Sequence, residues 1–105
     1  MKWEEGRQGS GYFKCLLAQG LSWDFYLLRY PKGAFIAGHT DPVEGKEHHR
    51  VNLVLKKAKE GGQFWCRGRR TKARRLVKFR PDIQVHGVNE VRSGTRWVLS
   101  FGWVR

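Results

Sequence analysis

Short apolar-rich stretches alternate along the chain with turn residues. Eight stretches carry the branched and aromatic bias, or the period of two, that marks strands. They are Tyr12–Ala18, Asp24–Tyr30, Ala34–His39, Arg50–Lys56, Gln63–Cys66, Leu76–Phe79, Gln84–Val91 and Thr95–Val104. Pro31-Lys32-Gly33, Asp41-Pro42, Gly61-Gly62, Arg80-Pro81-Asp82 and Ser93-Gly94 punctuate them as turns. No stretch sustains a helical period beyond two turns. The pattern predicts an all-β sandwich, jelly roll or barrel with few or no helices.

The last stretch is the most informative. Side chains on a strand alternate between faces. Trp97, Leu99, Phe101 and Trp103 fall on one face, and Arg96, Val98, Ser100 and Gly102 on the other. The first face is bulky and needs a packing partner. The second is small, with one charge at its start. It suits either a cavity wall with an anion site at one end or a core strand with one solvated Arg.

Length and charge then narrow the class. A chain of 105 residues makes one domain, read as 1–105 with its core at about 24–104. That excludes a multidomain enzyme. The 21 Lys and Arg against 9 Asp and Glu give a formal charge of +12, which favours a polyanionic partner. Cys15 and Cys66 stand far apart without a CxxC spacing, and read as buried thiols of a cytoplasmic protein. The first residues carry no apolar segment of a secretory signal, and no apolar run approaches the ~20 residues of a membrane helix.

Candidate chemistry centres on His39-Thr40-Asp41, where a His and a carboxylate two apart project the same way from an extended chain. Alone, this is equally a surface loop with an Asx turn before Pro42. His86 lies in a second predicted strand, and Arg96 follows it beyond a hairpin signal. Two His and one carboxylate are the ligand set of non-haem Fe(II) oxygenases. An Arg beyond the second His can clamp a carboxylate in bidentate fashion.

Longer patterns extend this. Leu28-Arg29-Tyr30-Pro31-Lys32-Gly33 precedes the His-x-Asp pair, and Gly61-Gly62-Gln63-Phe64 turns into a later strand. The segment from His86 to Arg96 fits H-x-V-x-x-V-x-x-G-x-R through Val88, Val91 and Gly94. In these features, from about Leu27 to Trp103, the chain resembles the Fe(II)- and 2-oxoglutarate-dependent dioxygenases, in particular the prolyl-4-hydroxylase-like branch.

The resemblance implies a double-stranded β-helix, a cupin-like jelly roll of eight strands. It implies that His39, Asp41 and His86 hold Fe(II) as the catalytic centre, and that Arg96 pairs with the distal carboxylate of 2-oxoglutarate. Tyr30 stands where the family often lines the cosubstrate or substrate pocket. Alternation puts Asn52, Val54 and Lys56 on one face, with Lys56 about where some relatives assist the distal carboxylate. Ser100 and Val98 share the Arg96 face. The implied reaction uses O2 to hydroxylate a C–H bond and releases succinate and CO2. The branch favours a protein side chain as substrate, and the charge favours an anionic one, nucleic acid included. The competing reading is a small basic β-module that binds nucleic acid, with a structural metal site or none.

Two departures stand out. Nucleic-acid demethylases of this superfamily carry a second Arg six residues past the first, where this chain has Gly102. The N-terminal helices that usually cover one sheet also have no counterpart in the two dozen or so residues before Leu27. The Trp97, Leu99, Phe101 and Trp103 face then needs an added N-terminal strand or a homodimer. Finally, eight basic residues and no acidic one lie between Arg67 and Arg80. Arg69, Arg70, Arg74 and Arg75 fall in an expected loop that is either a solvated loop of a basic protein or a patch that contacts phosphates, with Trp65 or Phe79 to stack on a base. His48 and His49 are read as loop residues at the pocket rim.

Overall fold

The computed structural model describes residues 2–6, 9–69 and 71–105. Among them are twelve strands and no helix, so none long and apolar enough to cross a membrane. The strands are β1 (Glu4–Glu5), β2 (Phe13–Gln19), β3 (Trp23–Tyr30), β4 (Ile36–His39), β5 (His48–Lys56), β6 (Glu60–Gly61), β7 (Phe64–Cys66), β8 (Thr71–Ala73), β9 (Leu76–Phe79), β10 (His86–Val88), β11 (Val91–Ser93) and β12 (Arg96–Val104). They form a jelly roll. One layer is a seven-stranded sheet in the order β1-β2-β3-β12-β5-β9-β8. The other is split into β4-β10-β7 and β11-β6. The split divides the expected strand Gln84–Val91 at Asn89 and Glu90, whose backbones bond to Gln63 O and Gly62 N at 2.9 and 3.0 Å.

β12 lies between β3 and β5, so its two faces decide the interior. Arg96, Val98, Ser100 and Gly102 are buried, while Trp97, Leu99 and Trp103 are half-buried and Phe101 exposed. Inside, Tyr30, Ala34, Val88, Val91 and Val98 form one core cluster, and Cys66, Val77 and Phe79 a second. Phe64 packs against both. Each fully buried Val contributes about 1.5–3 kcal/mol from apolar burial. Cys15 and Cys66 are buried, as the sequence suggests.

The N-terminal strand is present, but it extends the sheet edge in plane through β2–β3 pairing instead of lying over the apolar row. Only Trp3 reaches across, edge-on to Trp97 at 6.0 Å and with the Arg29 guanidinium 4.8 Å from its ring. Trp23, Leu53 and Phe101 stay exposed on that outer face.

Three local expectations are corrected. His48 and His49 are not loop residues but begin β5, with His49 stacked on Trp103 at 5.4 Å. The segment expected as the loop Arg69–Arg75 contains β8, paired with β9 through a turn at Arg74 and Arg75. Lys56 leaves the Asn52–Val54 face, because a β-bulge shifts the pairing so that Lys56 stands opposite Trp97.

Candidate metal centre

β4 and β10 pair antiparallel with His39 directly opposite His86. Their rings lie 4.4 Å apart between centroids. Two residues past His39 the chain has left the strand, and the Asp41 N–H donates to Pro81 O at 2.7 Å. That bond turns the carboxylate back between the rings. Asp41 Oδ2 lies 3.4 Å from His39 Nε2 and 3.5 Å from His86 Nε2. The three donor atoms all lie within 4.8 Å of one another.

The rings are held in matching tautomers. His39 Nδ1 is 2.8 Å from Ala37 O and His86 Nδ1 is 2.9 Å from Gln84 O, each carbonyl two residues upstream. A carbonyl only accepts, so each Nδ1 carries the proton and each Nε2 presents a lone pair. Phe79 backs the His86 ring at 5.0 Å and Phe64 lies at 6.3 Å. Both histidine side chains are largely enclosed, while Asp41 is 42% exposed, so the donor set opens toward one side.

That side is a pocket of about 350 Å³, lined by Tyr30, Asn52 and Ser100 as well as the three donors. Tyr30 is buried and stacks on Tyr12 at 5.0 Å. The Arg96 guanidinium lies over the Tyr30 ring at 5.1 Å. Burial pushes the Tyr30 phenol up and the Arg96 guanidinium down, because both charged forms lose water. Asn52 Oδ1 is buried without a hydrogen-bond partner. Tyr30 and Asn52 thus give this pocket a polar wall, while Arg96, packed on the far side of Tyr30, lines the neighbouring cleft instead of the pocket itself.

Sequence reasoning missed Arg50. Its Nη1 donates to Ser100 Oγ at 2.7 Å, and its Nη2 donates to Asp24 Oδ1 at 2.8 Å and His48 Nε2 at 3.3 Å. Burial first, then the Arg50 charge, lowers the His48 pKa. A Cβ at Gly102 would stand 2.2 Å from Arg50 Nη2. The missing side chain at Gly102 is therefore what makes room for a guanidinium from the next strand. Alternation in Arg50–Lys56 was the available signal, since Arg50 shares a face with Asn52.

The other expected residues separate. Lys56 is exposed and lines neither this pocket nor the cleft beside it. Arg74 and Arg75 line that second cleft, and Arg69 does not. Arg70 lies outside the described residues. Phe79 is buried, and Trp65 packs over Gly38 and Gly87, so neither is free to stack on a base beside Arg74 and Arg75.

A sequence description of the 2OG-Fe(II) oxygenase superfamily matches residues 25–105. The chain belongs to this superfamily. No curated protein sequence matches it. Among solved structures, a Pseudomonas putida prolyl-4-hydroxylase superposes with a TM-score of 0.73 at 18% identity, over 98% of this chain and 76% of that one. The viral collagen prolyl hydroxylase of Paramecium bursaria Chlorella virus-1, in its 2OG complex, gives 0.62 at 14% identity, over 94% and 83%. An RmlC-like cupin from Desulfovibrio desulfuricans gives 0.62 at 17% identity, over 98% and 96%. At these identities the likeness is one of fold, shared by hydroxylases and cupins alike. In this member of the superfamily the donor chemistry fits the superfamily's metal. Two neutral imidazole nitrogens and one carboxylate oxygen converge on one point and leave one side open.

Proposed function

We propose that this oxygenase is an Fe(II)- and 2-oxoglutarate-dependent hydroxylase carried by a single jelly-roll domain. The observation that supports this best is the pair of imidazoles, each fixed by a backbone carbonyl so that both Nε2 atoms meet Asp41 Oδ2. A solvated pair of surface histidines has no need of two matched tautomers around one carboxylate oxygen.

Iron, 2-oxoglutarate and O2 together would supply the oxidising chemistry, releasing succinate and CO2 as one oxygen atom enters a substrate C–H bond. The chain's own residues bind and orient. His39, Asp41 and His86 would hold the metal. Arg96, buried over the Tyr30 ring, would give a bidentate partner to the distal carboxylate of the cosubstrate. Turned about its Cβ–Cγ bond, Asn52 would present Nδ2 to the same ligand where its unpartnered Oδ1 now lies. Ser100 is engaged by Arg50, so its role is to hold that guanidinium rather than to touch cosubstrate. Apolar Phe64, Leu28 and Val88 keep water from the space between.

The mouth of the pocket carries Lys14 and Arg50, with Asp24 compensating the latter. This supports a substrate with negative charge near the oxidised carbon, such as an acidic peptide. The test is succinate formation from 2-oxoglutarate under air, with and without Fe(II). Iron-dependent turnover that His86→Ala abolishes supports the reading. Its absence in protein that binds neither Fe(II) nor 2-oxoglutarate would overturn it.

A further inference from the structure

Behind the metal pocket lies a second cleft of about 530 Å³. Lys57, Lys59, Lys72, Arg74, Arg75 and Arg96 line it, over an apolar floor of Phe64, Leu76 and Val77. No described lining residue is acidic, and Glu60, beside Lys59 in sequence, lies outside the lining. Among the described residues no ion pair involves Lys57, Lys59, Lys72, Arg74 or Arg75. Elsewhere in the basic run two cations are engaged. Arg80 is bound by Asp82 at 2.9 and 2.6 Å, and Lys78 lies over the Trp103 ring. Five cations with no ion-pair partner among the described residues therefore line one hollow.

The backbone holds it there at a cost. Arg74 is the one described non-glycine residue with a positive φ, at 27°, in the tight turn between β8 and β9. Glycine or asparagine would adopt that conformation more cheaply. Arg75 secures the turn, since its carbonyl accepts from Val54 N at 2.8 Å and its Nη1 donates to Leu55 O at 2.9 Å. A strained turn built from two arginines, pinned to the neighbouring strand, presents cations where a neutral turn would fold more easily.

We infer that this cleft is a binding site for a ligand with successive phosphate groups: a single-stranded nucleic-acid backbone or a free polyphosphate. Clefts of one sign with low-dielectric walls concentrate counter-ions of the other. Five mobile or forked cations around one hollow suit several phosphates rather than one carboxylate. With no exposed aromatic ring beside the arginines, bases would face outward and sequence would matter little. The site stands apart from the iron chemistry, and of the residues lining the two hollows only Phe64 is common to both.

The experiment is fluorescence anisotropy of the full chain with a labelled single-stranded 12-nucleotide probe at ~50–200 mM salt, with tripolyphosphate as competitor. Three variants accompany the wild type. The cleft variant is Lys72→Ala, Arg74→Ala and Arg75→Ala. A control with the same charge loss is Lys2→Ala, Lys32→Ala and Lys46→Ala. Arg74→Gly removes one cation while relieving the positive φ, so it should fold at least as well as wild type.

The cleft variant should bind at least about tenfold more weakly, with the salt slope shallower by about 2, at ~0.7 per lost phosphate contact on a single strand. The control should stay within about threefold. Arg74→Gly should lose about 0.7 of slope with an unchanged melting temperature. Binding of both probes assigns the site to a nucleic-acid backbone. Tripolyphosphate binding alone assigns it to free polyphosphate. No binding of either at 50 mM salt, or equal weakening in cleft and control variants, overturns the proposal.

Discussion

The two hollows of this molecule share a wall but are built on opposite principles. In the metal pocket the metal-ligating side chains and Arg50 are tied in place, while the Asn52 amide oxygen is left unpartnered. Ala37 O and Gln84 O fix the two imidazoles, Pro81 O fixes the Asp41 backbone, and Arg50 is bound by Ser100 and Asp24. In the basic cleft, by contrast, Lys57, Lys59, Lys72 and Arg74 have no ion-pair partner among the described residues, and only Arg75 is anchored. The first arrangement suits chemistry, where a misplacement of about 1 Å is costly. The second suits a charged, flexible ligand held by field rather than by fit. A small domain can combine both because strands fix side chains on the inner face, whereas a hairpin rim leaves long cations mobile.

The largest expected effect tests whether the two hollows are independent. Asp41→Ala or His86→Ala should weaken Fe(II) binding by at least about a hundredfold, beyond the 10–100-fold typical of outer-sphere partners, and stop succinate formation. Oligonucleotide anisotropy should not change. A parallel loss of both would show that the comparison describes global unfolding instead.

Next comes the shared wall. Arg96→Met should weaken 2-oxoglutarate binding about 10- to 150-fold, the equivalent of ~1.5–3 kcal/mol for a charge-assisted hydrogen bond, while Fe(II) still binds. Tyr30→Phe removes one neutral partner and should cost about fivefold, near 1 kcal/mol. Calorimetry with and without metal separates the two ligands. An unaltered 2-oxoglutarate affinity in Arg96→Met would place the carboxylate elsewhere.

A smaller effect tests how firmly the pocket is tied. Gly102→Ala puts a Cβ where Arg50 Nη2 stands and should break its bonds to Ser100 and Asp24. Overpacking of this kind costs about 1–3 kcal/mol. At ~4–8 °C per kcal/mol for a domain this size, the melting temperature should fall visibly. No change would mean that Arg50 moves aside freely.

The smallest effect is on pH. His48 has its pKa lowered in the fold by burial and by Arg50. Its contribution to stability is therefore complete above its unfolded pKa of about 6.5 and lost as pH falls through the lower folded value. Asp82 has its pKa lowered by the Arg80 hydrogen bonds, so its share persists above about pH 3.9 and is lost in stronger acid. Thermal melts from pH 7.5 to 3 should decline in those two stages. Replacing His48 with Gln should flatten the first, and Arg80 with Gln the second.

Much of this was legible in the chain. Period-two alternation placed the main strands, because a half-buried strand must repeat every two residues, and β12 showed which of its faces is interior. The His-x-Asp pair and His86 stood in strands whose pairing brings them opposite each other. What escaped the sequence came from register and from neighbours. Lys56 left the inner face because of a bulge that no local residue announces. β8 and its turn were hidden because Arg74 is a residue that rarely adopts positive φ. His48 and His49 looked like loop residues among Glu and Gly, yet they pair with Val104 and Trp103 across β12. Arg50 was overlooked because its importance lies in the space left by Gly102, on another strand.

The most direct test of the central claim is an anaerobic Fe(II) titration of the full chain in the presence of 2-oxoglutarate, followed by visible absorbance. A charge-transfer band that saturates at one equivalent of iron, needs 2-oxoglutarate, and disappears in His86→Ala is the expected result. No band in folded wild-type protein, or one that survives the loss of His86, would contradict the account.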